Sequence, residues 1–207
     1  MTWLRKTDQK FNSRTSTVWV GQSTPSPVCL PQAWAIDTEG GSWLRLGGLE
    51  PPPSHVAPAW LRVEGEPCSL VQVASSPSGD RVWARDRVGG VWVREAVYPE
   101  LPCGTGWVAV SGLAADWLEV SRHSVWVLAP GGRLYRRLGL EETDWVGRAW
   151  QEVPGPRGQV VVALSAGQCD TLWALDSTGG VHQLSVCYRS VPNKLCFFRA
   201  CSEFRAS

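Results

Sequence analysis

The sequence predicts an all-β fold, a partial β-propeller of about three and a half four-stranded blades with irregular tails. Three observations predict it. The first is a Trp that recurs at Trp34, Trp83, Trp126 and Trp173, in steps of 49, 43 and 47 residues. Its companions keep fixed offsets. A Gly follows six residues later (Gly40, Gly89, Gly132, Gly179), a ring nine later (Trp43, Trp92, Tyr135, His182), and an Arg eleven later in three units (Arg45, Arg94, Arg137, then Leu184). Asp37, Asp86 and Asp176 stand three residues after their Trp, where the third unit has Ala129. The second observation is a leading motif, W-x-x-V-x-G, at Trp60, Trp107 and Trp150, which precedes its partner Trp by 23, 19 and 23 residues. The third is punctuation: 21 Gly and 15 Pro in 207 residues would break long helices again and again but suit short strands and tight turns.

The elements follow in chain order. Residues 1–29 read as an irregular segment, with Val18-Trp19-Val20 a degenerate strand and Pro25, Pro27 and Pro31 crowding what comes next. Residues 30–48 hold a partial blade around Trp34, and full blades are expected at about 60–98, 107–140 and 150–186. Each full unit holds four short apolar runs; in the third they start near Trp150, Val160, Leu172 and Val181. The connections carry matching chemistry: in Asp37-Thr-Glu-Gly-Gly and Asp176-Ser-Thr-Gly-Gly the Asp closes an Asx-turn and the Gly supplies positive φ. After Val186 the repeat stops, and 187–207 read as a non-repeat tail, an alternative C-terminus of different composition.

Blades stack face to face, so both faces of their strands are covered; this accounts for apolar runs without strict polar alternation and for a flat ring recurring between blades. Propellers close with about 4–8 blades. A shorter arc leaves a blade face bare and a strand edge unpaired, so self-association through open edges is expected.

Composition excludes several function classes. Twenty basic against nineteen acidic residues give a net charge of +1, without the basic excess of a nucleic-acid-binding domain. Arg5, Lys6, Lys10 and Arg14 against Asp8 make residues 1–16 +3, and Arg189, Lys194, Arg199 and Arg205 against Glu203 make 187–207 +3, which leaves the body at −5. No apolar run reaches the length of a transmembrane span, and the first residues lack a signal-peptide core. Seven cysteines without paired spacing and without C-x-x-C fit reduced thiols in the cytoplasm and no zinc site. No cofactor is expected.

The run V-W-A-x-D-x-x-G-x-V with its ring and Arg, clearest from Val82 to Arg94 and from Leu172 to His182, resembles the tectonin β-propeller repeat over about residues 30–186. The resemblance is closest to the long intracellular members of that family. It implies a non-catalytic scaffold for protein binding in autophagy, early secretory traffic and autophagosome–lysosome handling, peripheral to vesicle or autophagosome membranes. Ubiquitin-like autophagy modifiers and trafficking complexes are the implied partners. The chain matches neither the membrane-binding domains of some members nor the acidic-aromatic C-terminal motif of others. Shorter relatives are secreted sugar binders, so a lectin-like propeller is the alternative.

Candidate sites are few. Asp116, Trp117 and Val120 fit the aromatic-x-x-aliphatic pattern that adds a strand to ubiquitin-like modifiers. Trp60, Trp107 and Trp150 fit the bare pattern too, so core packing is the preferred reading of all four. His182 stands at the ring position and reads as a packing residue. His55 lies among prolines and His123 in a tight loop, and neither completes a catalytic triad. No nucleophile elbow, phosphate loop or HExxH is present, so no enzyme is expected. Arg45, Arg94 and Arg137 read as structural, each pairing with an Asp or a carbonyl and stacking on a ring, in preference to lining an anion site. Cys187, Cys196 and Cys201 are expected to be accessible thiols.

Overall fold

A computed structural model describes residues 21–22, 32–47, 60–65, 69–141, 144–156, 159–167, 171–187, 194–195 and 199–200. All of its regular structure is antiparallel β. The first sheet runs in the order β1 (Gly21–Gln22), β2 (Gln32–Ile36), β3 (Ser42–Leu46) and β4 (Leu61–Val63). The second holds β5 (Leu70–Ser75), β6 (Val82–Asp86), β7 (Val91–Arg94) and β8 (Trp107–Val110). The third holds β9 (Trp117–Val120), β10 (Val125–Ala129), β11 (Arg133–Leu138) and β12 (Ala149–Val153). In the fourth, β13 (Val161–Ala166), β14 (Thr171–Asp176) and β15 (Val181–Cys187) are joined by β16 (Lys194–Leu195) and β17 (Arg199–Ala200), both paired to β15. Val18-Trp19-Val20 lies outside the described residues.

The sheets correct the phasing of the repeat. Spacing places W-x-x-V-x-G at the head of each unit, whereas the structure places it at the tail. Arg94 pairs with Trp107, Arg137 with Trp150 and Leu44 with Leu61, so each leading strand closes the sheet before it. The units therefore run 21–63, 70–110 and 117–153, with the last from residue 161. The reason is loop length. Residues 95–106 fold back as a long hairpin connection within one sheet, while the short stretch 111–116 steps across to the next. Proximity in sequence grouped the motif with the wrong neighbour. The partial unit of 30–48 gains β1 and β4, and the tail, read as outside the repeat, supplies β16 and β17.

The sheets stack in chain order through three seams, with β5 packed on β2, β9 on β5 and β13 on β9. Trp34, Ile36, Leu44 and Val63 of the first sheet face Leu70, Val73, Val82 and Ala84 of the second. Trp83, Val93 and Val110 face Leu118, Val125 and Val127, and Trp126, Leu134 and Val153 face Leu164, Leu172 and Leu184. Every residue of β2 and of β10 is buried, and β10 lies in a sheet packed between two others. Trp34, Trp83 and Trp126 are each 0% exposed. At about 25 cal/mol per Å² of apolar area, one such ring contributes roughly 4–6 kcal/mol to its seam before chain entropy is counted.

Candidate functional site

The turn after each repeat Trp is built on one carboxylate. Asp37 Oδ1 accepts from the backbone N–H of Glu39 (2.9 Å) and Gly41 (2.8 Å), and Oδ2 accepts from Trp43 Nε1 (2.8 Å). Asp86 repeats this with Val88, Gly90 and Trp92 Nε1 at 2.9, 2.8 and 2.9 Å. Asp176 does so with Thr178, Gly180 and His182 Nε2, the last at 2.7 Å. The spacing explains the pattern: Asp, then a glycine free to turn, then a ring donor reaching back across the hairpin. In the third unit, where Ala129 replaces Asp, the Tyr135 hydroxyl turns to Glu152 instead (3.4 Å).

These turns also make the seams. The Gly40 carbonyl accepts from Leu70 N (3.3 Å) and the Gly89 carbonyl from Ala115 N (2.9 Å), each crossing to the next sheet. Gly40, with φ +89, approaches so closely that a Cβ there would meet Ser69 Cα at 2.4 Å, and one at Gly132 would meet Val160 at 2.6 Å. No side chain fits at either place.

The repeated arginines are structural at the two positions with described partners. Arg94 Nε donates to the Cys103 carbonyl (2.7 Å) and Nη1 to the Glu64 carbonyl (3.1 Å), while its guanidinium lies 5.5 Å from the Trp107 ring. Arg137 Nε donates to the Val146 carbonyl (2.8 Å) and stacks on Trp150 at 4.9 Å. Burial lowers the Arg137 pKa, with Asp144 acting against it. Trp107 in turn meets Trp34 edge-on at 6.4 Å, and Trp150 meets Trp83 at 6.2 Å. An Arg–Trp–Trp ladder thus ties the fourth strand of one sheet to the repeat Trp of the sheet before. Arg45 is buried as well.

Asp176 Oδ1 also accepts from the Thr178 hydroxyl (2.7 Å), so the carboxylate sits between that hydroxyl and His182 Nε2. The His182 hydrogen bond, with those of Thr178 and Gly180, holds the Asp176 carboxyl well below the usual carboxylate range. His123 is exposed in the loop between β9 and β10, and His55 lies outside the described residues. Among the described residues no group of three or more His, Cys, Asp or Glu side chains could hold a metal, and no helix is long and apolar enough to cross a membrane. Cys196 and Cys201 lie outside the described residues, as does the side chain of Cys187.

The structure places Trp117 and Val120 on β9, the first strand of the third sheet, with Asp116 immediately before it. Asp116 is exposed, Trp117 half-buried and Val120 buried. The edge of β9 turned away from β10 is engaged: Gln72 Nε2 donates to the Leu118 carbonyl (2.8 Å), and Leu118 N donates to Gln72 Oε1 (3.2 Å). A strand added at that edge has to displace this amide.

The outward face of the fourth sheet differs from the other three. Trp173 is half-buried where its three counterparts are sealed, and Leu175 is 39% exposed where Ile36 is 2%. Val162 beside it is exposed, and a Cβ on Gly179 would meet nothing among the described residues. The opposite end of the stack is closed: Ala33 and Ala35 are buried like Val82 and Ala84, which occupy the same positions inside a seam. Sequence reasoning missed this asymmetry, along with Gln72, because a repeat alignment treats all units as equivalent.

A family model for the tectonin domain matches residues 33–177. Human tectonin beta-propeller repeat-containing protein 2 is 40% identical over 107 residues, which make up 50% of this chain and 8% of that protein. Among solved structures, the chain is similar to human WBSCR16, with a TM-score of 0.59, 14% identity and coverage of 86% of this chain and 49% of that one. It is also similar to yeast RCC1 (Prp20), solved with Kap60, at a TM-score of 0.55, 11% identity and coverage of 84% and 48%. YCF48 from Cyanidioschyzon merolae follows at a TM-score of 0.51, 11% identity and coverage of 82% and 53%. At these identities the solved structures bear on the fold alone. The chain spans about half of each of them.

Proposed function

Since this chain belongs to the tectonin family, we propose that it is a non-catalytic protein-interaction module, an arc of propeller blades that presents the outward face of its fourth sheet to another protein. One observation carries this reading: Trp173, Leu175 and Gly179 repeat the positions that seal every internal seam, yet they are left open. An apolar sheet face of this kind is stable only when covered.

The occupant is a second copy of the chain. Head-to-tail stacking needs the receiving face of the first sheet, where Ala33 and Ala35 are already buried. The copies therefore meet fourth sheet to fourth sheet, the two-fold arrangement most common among homo-oligomers. The resemblance to long intracellular tectonin proteins extends the reading to scaffolding in autophagy and membrane traffic. There, β9 with Asp116, Trp117 and Val120 is the strand offered to ubiquitin-like modifiers once Gln72 is displaced.

Sedimentation equilibrium on the wild type and on Trp173→Ser tests the interaction face. The wild type is expected to dimerise with concentration, and Trp173→Ser to stay monomeric with a thermal midpoint within a few degrees of wild type, since its site is already half open. A wild type that remains monomeric at high micromolar concentration, or a dimer that survives Trp173→Ser, overturns it. Sugar-dependent quenching of Trp fluorescence across a glycan array would replace this reading with the lectin one.

A further inference from the structure

The two long connections that join third strand to fourth, residues 95–106 in the second sheet and 139–148 in the third, meet each other. Each is held by its repeat arginine. Arg94 donates to the Cys103 (2.7 Å) and Gly104 (3.5 Å) carbonyls, and Arg137 to those of Val146 (2.8 Å) and Gly147 (3.2 Å). Val97, 2% exposed, pins the first loop into the seam between the first and second sheets. Tyr98 and Leu101 then exchange backbone hydrogen bonds (3.3 and 3.0 Å) and close a turn over Pro99 and Glu100. The result is a fixed apolar ledge. Tyr98 is 45% and Leu101 38% exposed, and the Tyr98 ring meets half-buried Trp145 of the second loop edge-on at 5.8 Å.

The same two loops carry most of the acidity of the body. Glu95, Glu100, Glu141, Glu142 and Asp144 stand there against Arg148, a net of −4 out of −5. Arg148 is taken by Glu141 (2.7 Å), and Asp144 accepts from the N–H groups of Val146 (3.1 Å) and Gly147 (2.8 Å). Among the described residues no cation pairs with Glu95 or Glu100. The rings lack a cation too. Arginines lie over Trp43, Trp107, Tyr135, Trp126 and Trp150, whereas among the described residues none lies over Tyr98 or Trp145. An exposed ring beside an uncompensated carboxylate is complementary to a planar cation, which stacks on the one and bonds the other.

We propose that this ledge is a second interaction surface and that it binds an extended, arginine-rich segment of another protein. A guanidinium stacked on Tyr98 has Glu100 on the same turn, and an apolar neighbour in the segment covers Leu101. The negative charge repels nucleic acid and anionic membrane, so charge complementarity selects a basic protein segment. The chain's own basic segments are placed less well. Residues 1–16 lead into β1 of the first sheet and residues 187–207 belong to the fourth, at the two ends of the stack, while the ledge stands on the middle two. The ledge is separate from the outward face of the fourth sheet and does not depend on it.

Fluorescence anisotropy with the full 207-residue chain tests it, using a labelled peptide of alternating arginine and leucine and its lysine and glutamate counterparts. The arginine peptide is expected to bind, less tightly as salt rises, with the lysine peptide severalfold weaker and the glutamate peptide not retained. Tyr98→Ala should weaken binding by about three- to fivefold, and Glu100→Lys, which changes only an exposed turn, by about tenfold. Trp173→Ser should leave it unchanged. Binding that is indifferent to both Tyr98→Ala and Glu100→Lys overturns the ledge, and Glu100→Lys decides alone where Tyr98→Ala fails to fold. Equal binding of the lysine peptide reduces the ledge to bare negative charge and also overturns it. A severalfold gain when Arg5→Gln, Lys6→Gln, Lys10→Gln and Arg14→Gln are combined would put the chain's own segment on the ledge and overturns the external partner.

Discussion

Trp83→Ala is expected to lower the thermal midpoint of the chain by roughly 10–15 °C. Trp83 is 0% exposed and packs in the seam against Leu118, Val125 and Val127. Its ring meets that of Trp150 edge-on at 6.2 Å. Truncating a buried Trp costs about 3–5 kcal/mol through lost transfer energy and the cavity left behind, and the aromatic pair adds about 1 kcal/mol. In a chain of this size each kcal/mol moves the midpoint by about 2–4 °C. Two controls give the number its meaning. Trp173→Ala removes the same side chain from the open face and should cost about 1 kcal/mol, because its ring already lacks a neighbouring blade. Trp83→Phe should lose far less than Ala, since Trp83 Nε1 has no hydrogen-bond acceptor among the described residues to forfeit. Equal losses at positions 83 and 173 would mean that the seams do not hold the fold.

Asp86→Ala is expected to cost about 3 kcal/mol, as much as a core truncation, although it removes only a carboxylate. Asp86 is 4% exposed and satisfies the N–H groups of Val88, Gly90 and Trp92. Without it three donors in and beside a tight turn lose a charged acceptor, and each such bond is worth about 1–3 kcal/mol. The third unit shows how the loss is tolerated, for Ala129 there is accompanied by Tyr135, whose hydroxyl bonds Glu152. Asp86→Ala combined with Trp92→Tyr should therefore cost less than the two single changes together. Chemical denaturation of the three variants measures the coupling, and strict additivity would refute it. The equivalent Asp176 has a depressed pKa, so its contribution is present above the ordinary carboxylate range and is lost as the pH falls.

The repeat was legible because its physics is local. Asp, Gly and a ring at fixed offsets make one turn, and a Trp between two apolar neighbours marks a strand covered on both faces. These features identified the all-β propeller and the family. The structural reading of Arg94 and Arg137 was legible for the same reason, since a Trp at a fixed distance is a stacking partner. Phasing was not legible. Which sheet Trp107 joins is decided by hydrogen bonds between strands, and the long connection 95–106 hides its true partner behind a shorter step to β9. Gln72 was hidden as well. In sequence it is a variable position of an apolar strand, and its role appears only when β5 and β9 lie side by side. The open face at Trp173 matches the repeat as well as Trp83 does, so only packing distinguishes them.

The four sheets share their cores through three seams and so behave as a single arc. Thermal unfolding of the full chain, followed by calorimetry alongside Trp fluorescence, tests it most directly. One transition is expected, seen together by both probes, with equal calorimetric and van't Hoff enthalpies. Separate transitions, or a calorimetric enthalpy well above the van't Hoff value, would show sheets that melt independently and would contradict it.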